Sequence, residues 1–351
     1  MSPRVTQRHL AQLAQVSHTT VSLALRRHPS IPAATRQRIL DLARRHGYRP
    51  DPALAALNAY RIDRTAPRFH GAIAWLTCFA RREGWREMIQ AEGYFLGAKA
   101  QAEQHGYQLE EVWATEPGLS EKRLTQILLA RGVQGLIVAP LPEPHGRLAL
   151  GWKHFSAVAL GHSLAEPQLH VVMNHQFRNM KALVLHLHDL GYRRIGFALP
   201  AEKDERVDHS YLGGYLVGQA TLPPKAPRLR PLLAEPFDAA SFRRWFRTQQ
   251  PDATIVSASD APDVIDWLRA DGRRVPDDVG VAVASIPFRN RLVSGIDENV
   301  PRVGAMAVDT VIGMIHRNET GLPTNPWRIL AEGTWFQGTT VRPARAVVGA
   351  G

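Results

Sequence analysis

The sequence predicts an all-α helix-turn-helix headpiece plus a hinge helix, followed by a large two-lobe α/β core with parallel sheets. Three observations predict it. Two short apolar helical stripes flank a brief turn near the N-terminus; strands and helices alternate through most of the remaining chain; and basic charge is crowded into the headpiece. Residues 1–64 hold eleven Arg, no Lys and three Asp, a net of +8 out of +11 for all 351 residues. Such an excess on one short helical module favours a polyanionic partner over a merely solvated basic surface.

In the first helix Leu10, Leu13 and Ala14 fall at i, i+3 and i+4, and Thr6 supplies a cap oxygen. Gln15, Val16 and Ser17 form the break. Val21, Ala24 and Leu25 repeat the spacing in a second helix that Ser17 can cap. The opposite face of that helix carries Thr19, Ser22, Leu23 and Arg26, with His18 beside its N-terminus, where a recognition helix meets the major groove. A helical pair used for protein contacts is the alternative reading of these residues alone. A third helix starts at Pro32, buries Ile39, Leu42, Ala43 and the stem of His46, and stops at Gly47. The Pro-initiated, Ala/Leu-rich segment that follows, around Ala53 to Leu57, is too short to be a stable helix in isolation.

The stretch from Val5 to Leu57 resembles the headpiece and hinge helix of the lactose/galactose repressor (LacI/GalR) family of bacterial transcription regulators. The resemblance implies base contacts from His18, Thr19 and Leu23, and phosphate contacts from Thr6, Ser17, Thr20, Ser22, Arg26 and Arg36. It also implies that Ala53 and Leu57 enter the minor groove, Leu57 as a wedge that unstacks a central step. Leu23 departs from the longer polar or basic residue often found there; it cannot donate to guanine, so it either meets a thymine methyl or is an exposed residue that contacts no base. Gln15 stands where the family usually has Gly or Asn, so a positive φ there costs on the order of 1 kcal/mol. One headpiece reads half a site, so a homodimer on a pseudo-palindromic operator is expected. No leucine heptad follows Val341, which argues against a tetramerising coiled coil.

The chain is long enough for two or three domains with an ample core. A single cysteine, Cys78, excludes an internal disulfide framework and reads as a small core residue. The N-terminus lacks an apolar signal region, and no stretch reaches the roughly 18 apolar residues of a membrane span, so a cytoplasmic bacterial protein is expected.

Beyond a basic linker, Gly71 to Thr77 reads as a buried strand. Then follow a helix about 88–105, a strand 107–114, a helix 121–131, and strands 135–139 and 157–161. The pattern repeats with helices about 175–190, 211–220, 240–248 and 260–270 among strands 194–199, 253–258 and 279–284, then a helix 303–316. Two α/β lobes fit this better than one continuous sheet, and the arrangement is periplasmic-binding-protein-like.

The resemblance extends into this core. Leu190-Gly191-Tyr192-Arg193-Arg194-Ile195, Ser259-Asp260, and Gly272 to Val279 with Val275-Pro276 are similar to family motifs. It implies a headpiece at 1–49, a hinge and linker at 50–68, a core at 69–343 and a tail at 344–351. Within the core it implies an N-lobe of about 69–162 plus 297–322 and a C-lobe of about 163–296 plus 323–343. A small effector is expected between the lobes, touching Thr77, Asn174, Arg206, Tyr211, Ser259, Ser285 and Glu298.

Tyr211 stands where the family commonly has an Arg three residues before a Gly-aromatic pair, here Gly214-Tyr215; Arg206 and His209, just upstream, are candidate replacements. An aromatic face with neutral hydrogen-bonding groups suits a sugar better than a carboxylate or phosphate. No cofactor and no metal site are expected: His186 and His188, two apart, point in different directions on a helix. The competing classes are a carbohydrate-binding receptor without DNA function and an α/β hydrolase. The hydrolase reading rests on Gly161-His162-Ser163-Leu164-Ala165, where Ala replaces the second Gly of a nucleophile elbow.

Overall fold

A computed structural model describes residues 6–25, 31–46, 48, 71–286, 288 and 291–343. The chain divides into two compact units, Met1–Arg68 and Phe69–Gly351.

In the first unit, α1 (Gln7–Ala14), α2 (His18–Leu25) and α3 (Ala33–Arg45) enclose a small core of Leu10, Ala11, Ala14, Val21, Ala24, Ile31, Ile39 and Ala43. Thr6 caps α1 by accepting from the His9 amide at 3.2 Å, and Ser17 caps α2 by accepting from the Thr20 amide at 3.0 Å. Between them Gln15 sits at φ 50°, the left-handed geometry expected of the turn. The α1 stripe differs from the expectation at one position: Leu13 is 41% exposed and Ala11 is buried instead. At about 100° per residue the buried arc is centred between Leu10 and Ala11, which turns Leu13 toward solvent. His46 is likewise exposed. Gly47 lies outside the described residues.

The second unit holds two six-stranded sheets. The first has the order β13-β7-β5-β3-β1-β2, all parallel, from β1 (Gly71–Thr77), β2 (Tyr107–Trp113), β3 (Val133–Val138), β5 (Ser156–Leu160), β7 (His170–Asn174) and β13 (Arg328–Ala331). The second has the order β14-β12-β11-β10-β8-β9, from β8 (Ile195–Pro200), β9 (Leu232–Ala234), β10 (Ala253–Val256), β11 (Gly280–Val283), β12 (Ser294–Asp297) and β14 (Thr334–Phe336), with only β14 antiparallel. A short parallel pair, β4 (Gly146–Arg147) and β6 (Leu164–Glu166), stands apart.

Side chains alternate across each strand, so each sheet feeds two cores. On β1, Ala72, Ala74 and Leu76 join Leu124 and Leu128 of α5 (Glu121–Ala130), while Ile73 and Trp75 join Ala98 of α4 (Ala91–Gln104) and Val303 and Val308 of α11 (Val300–Arg317). In the second sheet Ile195, Phe197 and Leu199 pack under α6 (Gln176–Asp189) and α8 (Ser210–Thr221). Val256, Val281 and Val283 pack under α9 (Ala239–Gln249) and α10 (Ala261–Ala270). A five-residue helix, α7 (Ala201–Glu205), follows β8 directly.

The lobe borders fall elsewhere than expected. β7 and β13 are paired into the first sheet, so the N-lobe runs through Asn174 and again from α11 to Ala331. The chain therefore crosses between lobes at about 175, 298 and 332, rather than after 162, 296 and 322. Only Val171, Val172 and Met173 carry apolar character in β7, too short a run to announce a strand, yet all five of its residues are buried.

Candidate functional site

The N-terminal unit brings several of the expected DNA-facing residues to α1 and α2. His18 opens α2 and is exposed; Ser17 and Thr20 hydroxyls lie 2.8 Å apart at the same helix start. Thr19 and Ser22 fall in α2. Thr6 is committed to its cap and Arg36 is half-buried at the start of α3. Leu23 is half-buried against the headpiece core rather than fully presented, because α2 has Val21, Ala24 and Leu25 on adjoining faces and little purely polar surface. Arg26, Ala53 and Leu57 lie outside the described residues. Arg38, which the sequence did not single out, donates to the Ala14 carbonyl at 2.9 Å and closes the C-terminus of α1 against α3.

In the second unit a cleft of about 390 Å³ opens between the two lobes. The N-lobe supplies Glu87, Met88, Gln90, Tyr94, His162 and Ser163; the C-lobe supplies Gln176, Lys203, Arg206, Tyr211, Ser259 and Ser285; Glu298 comes from the second crossing. Gln176 opens α6 just after the first crossing, and the other C-lobe residues follow the C-terminal ends of β8, β10 and β11, where loops of a parallel sheet converge. Of the seven expected contacts, Arg206, Tyr211, Ser259, Ser285 and Glu298 line this cleft.

Thr77 and Asn174 do not line it. Thr77 is 1% exposed at the end of β1, its hydroxyl 3.5 Å from the Val112 carbonyl, and belongs to the sheet. Asn174 is fully buried behind the lining, where its Nδ2 donates to Tyr94 Oη at 2.9 Å and Glu298 Oε2 at 3.0 Å.

Those bonds belong to a network that ties the crossings together. Ser285 Oγ donates to Glu298 Oε2 at 2.6 Å, and Gln90 Nε2, from the N-lobe, donates to Ser285 Oγ at 2.6 Å and the Ile286 carbonyl at 2.7 Å. The His175 amide donates to the Ala331 carbonyl at 2.7 Å, and the Gly333 amide to Asn179 Oδ1 at 2.9 Å, so the first and third crossings are joined as well. Burial pushes the Glu298 carboxyl up to about 7, against the pull of the hydrogen bonds it accepts. Burial also raises the Tyr94 and Tyr211 phenols and lowers His162.

Both cations of the lining are engaged. Lys203 Nζ reaches Ser259 Oγ at 2.5 Å, Ser257 Oγ at 3.0 Å and Asp260 Oδ2 at 2.9 Å. The Arg206 guanidinium donates across the cleft to the carbonyls of Leu141 and, at 2.6 Å, Pro142, and burial lowers its pKa. It clasps the N-lobe from the C-lobe. His209 bonds Asp204 at 3.1 Å and stays outside the cleft. Sequence reasoning missed Gln90, Tyr94 and Lys203. Lys203 was reachable from its place just past a strand end, whereas Gln90 lies in a loop with no periodic signal.

The elbow-like Ser163 is 2% exposed, accepts from the Leu141 amide at 2.8 Å, and is followed by β6 rather than a helix. That geometry is not a nucleophile elbow. His186 packs against Trp335 with ring centroids 4.3 Å apart. Burial pushes the Cys78 thiol up to about 12, which keeps it protonated.

Comparison with known proteins agrees with both halves of the chain. Residues 8–51 match the description "Bacterial regulatory proteins, lacI family", and residues 184–340 match "Periplasmic binding protein-like domain". The chain is 44% identical over 66 residues to the HTH-type transcriptional regulator AglR of Rhizobium meliloti (strain 1021), a match spanning 18% of each protein. Among solved structures, it resembles a complex of the transcriptional regulator CelR with cellobiose, with a TM-score of 0.57 at 18% identity over 96% of this chain and 100% of that one. It also resembles the lac repressor dimer bound to operator and the anti-inducer ONPF, with a TM-score of 0.55 at 17% identity over 96% and 99%. Among the described residues no helix is long and apolar enough to cross a membrane. The chain thus places a helix-turn-helix region similar to that of the lacI family of bacterial regulatory proteins in front of a periplasmic binding protein-like body.

Proposed function

We propose that this protein is a cytoplasmic, homodimeric repressor whose operator affinity is set by a carbohydrate effector bound between the core lobes. The observation that carries the reading is the cleft of about 390 Å³ whose floor is the crossing network of Asn174, Ser285 and Glu298. Its volume suits a small molecule, and a ligand touching that floor acts on the pivot between lobes. Tyr94 and Tyr211 offer apolar area with a polar tip, which suits a sugar. The cellobiose in the CelR structure lends support.

At the other end, His18, Thr19 and Leu23 meet base edges, while Thr6, Ser17, Thr20, Ser22, Arg26 and Arg36 hold phosphates; Ala53 and Leu57 enter the minor groove. The domains follow the order headpiece 1–49, hinge and linker 50–68, core 69–343 and tail 344–351. The protein uses no cofactor or metal and performs no catalysis. Effector and operator are then linked reciprocally: whatever factor the sugar changes in DNA affinity, DNA changes in sugar affinity.

Two measurements test this reading. Full-length protein on duplex DNA loses affinity steeply as salt rises, whereas a receptor or hydrolase shows no such slope. Leu57→Ala reduces DNA bending and operator affinity with effector binding intact; bending and affinity equal to the parent protein contradict the wedge.

A further inference from the structure

Buried acids are normally paired with a cation or hydrogen-bonded at every lone pair. Glu298 is neither. It is 4% exposed, its Oε2 is taken by Asn174 and Ser285, and its Oε1 has no partner. No described Lys, Arg or His pairs with it, and the charge of Asp297, a second anion, raises it further.

The Gln90, Ser285 and Asn174 donors around it are spent, whereas the protons of Asn179 Nδ2 and of the Tyr94 hydroxyl are assigned to no acceptor among the described residues. Both Gln90 Nε2 protons are spent on Ser285 and Ile286, leaving Gln90 Oε1 unpartnered. The Ser285 proton is spent on Glu298, and both Asn174 Nδ2 protons on Tyr94 and Glu298. Asn179 favours the ionised carboxylate, but its Nδ2 closes no hydrogen bond. The cations of the lining, Lys203 and Arg206, are committed to Asp260 and to the N-lobe carbonyls. Among the described residues, the hinge end of the cleft therefore holds buried oxygens without partners and a carboxylate with no cation beside it, while Lys203 and Arg206 are already engaged.

We propose that the effector carries an amine: an aminated polyol whose ammonium pairs with Glu298 Oε1 and Gln90 Oε1, with Tyr94 and Tyr211 as aromatic neighbours. This rests on the cleft being the effector site, and it narrows the carbohydrate to an amino sugar. The ion pair favours ionised Glu298, so binding expels the proton that the empty site holds below about 7. Affinity for the amine consequently rises as pH passes upward through that value and falls again at roughly pH 8, where an amine of this type loses its own proton. The groups facing Glu298 do not blur this. Tyr94 and Tyr211 are raised and stay neutral, Ser285, Asn174, Asn179 and Gln90 do not titrate, and Asp297 adds negative charge.

The test is calorimetric titration of the full chain with glucosamine, galactosamine and mannosamine, each against its neutral parent hexose, and with glucuronate. In at least one pair the amine binds about tenfold or more tightly than its parent just above pH about 7, a preference that shrinks below that value and again above roughly pH 8, where the ammonium is lost. Glu298→Gln, whose cooperative thermal unfolding verifies folding, reduces the amine to the affinity of the parent; Gln90→Met, which removes the second acceptor, weakens the amine by a smaller factor. A parent hexose that equals or exceeds its amine in every pair overturns the proposal, as does a preference that survives Glu298→Gln. Binding of neutral sugars or glucuronate without amine preference removes the amine and leaves the carbohydrate cleft standing. Binding of no carbohydrate in the panel removes both.

Discussion

Two single residues carry costs that the fold tolerates. Glu298 is held near neutrality by burial, its value pushed from 4.5 to about 7. Protonated in the fold and ionised once unfolded, it stabilises the protein fully below 4.5, and that stability is lost as pH rises through about 7. At about 1.36 kcal/mol per pH unit the loss is on the order of 3 kcal/mol. Glu298→Gln is expected to flatten this part of the stability–pH curve, measured by urea unfolding; a curve as steep as the parent's contradicts the assignment. Gln15 holds φ 50° between α1 and α2, a geometry that glycine adopts without strain. Gln15→Gly should raise headpiece stability by about 0.5–1 kcal/mol in thermal unfolding, and no gain would mean the turn is unstrained. The Gln15 conformation was legible through the family resemblance, which places Gly or Asn at this turn. The half-burial of Leu23 was not, since a helix of mixed apolar and hydroxyl residues does not declare which face is covered.

Among elements, α4 and α11 approach so closely that backbone meets backbone. A methyl group at Gly304 would run into the Tyr94 carbonyl, and one at Gly97 into the Pro301 carbonyl. Gly304→Ala should cost about 1–3 kcal/mol of core stability by overpacking; a neutral effect on the unfolding midpoint contradicts the packing. That contact matters because α4 carries Tyr94 and α11 follows Glu298 directly, so the pair holds the cleft floor. Across the cleft mouth the Arg206 clasp joins residues just past α7 to the N-lobe loop at Leu141 and Pro142. Arg206→Ala is expected to open the ligand-free lobes, seen as a larger radius of gyration by solution scattering, whereas an unchanged radius removes the clasp. Long helices and largely apolar strands such as β1, β10 and β11 were readable from periodicity and apolar patterning. β7, β9 and β12 were not, because polar residues at His170, Asn174, Ser294 and Asp297 end the apolar runs of β7 and β12 and β9 is only three residues long, so these strands rely on tertiary pairing. Missing β7 displaced the lobe border, whereas Asn174 was expected in the lining because it stands at the family's lobe-crossing position.

At the scale of the molecule, a basic three-helix unit precedes a two-sheet body whose three crossings are tied by Asn174, Asn179, Ser285 and Glu298. The overall plan was legible because charge segregation and strand–helix alternation are properties of the whole chain. The chemistry of the cleft was not, because Gln90, Lys203 and Tyr94 become neighbours of the expected residues only through long-range folding. The central claim is that the cleft controls the DNA-binding end. Its most direct measurement is selection of a duplex from a random library by the full chain, followed by titration of that duplex with and without saturating cleft ligand. The account predicts an enriched inverted repeat whose affinity changes by about 5- to 150-fold when the ligand binds. Failure to enrich any inverted repeat, or an affinity that ligand binding leaves unchanged, would contradict it.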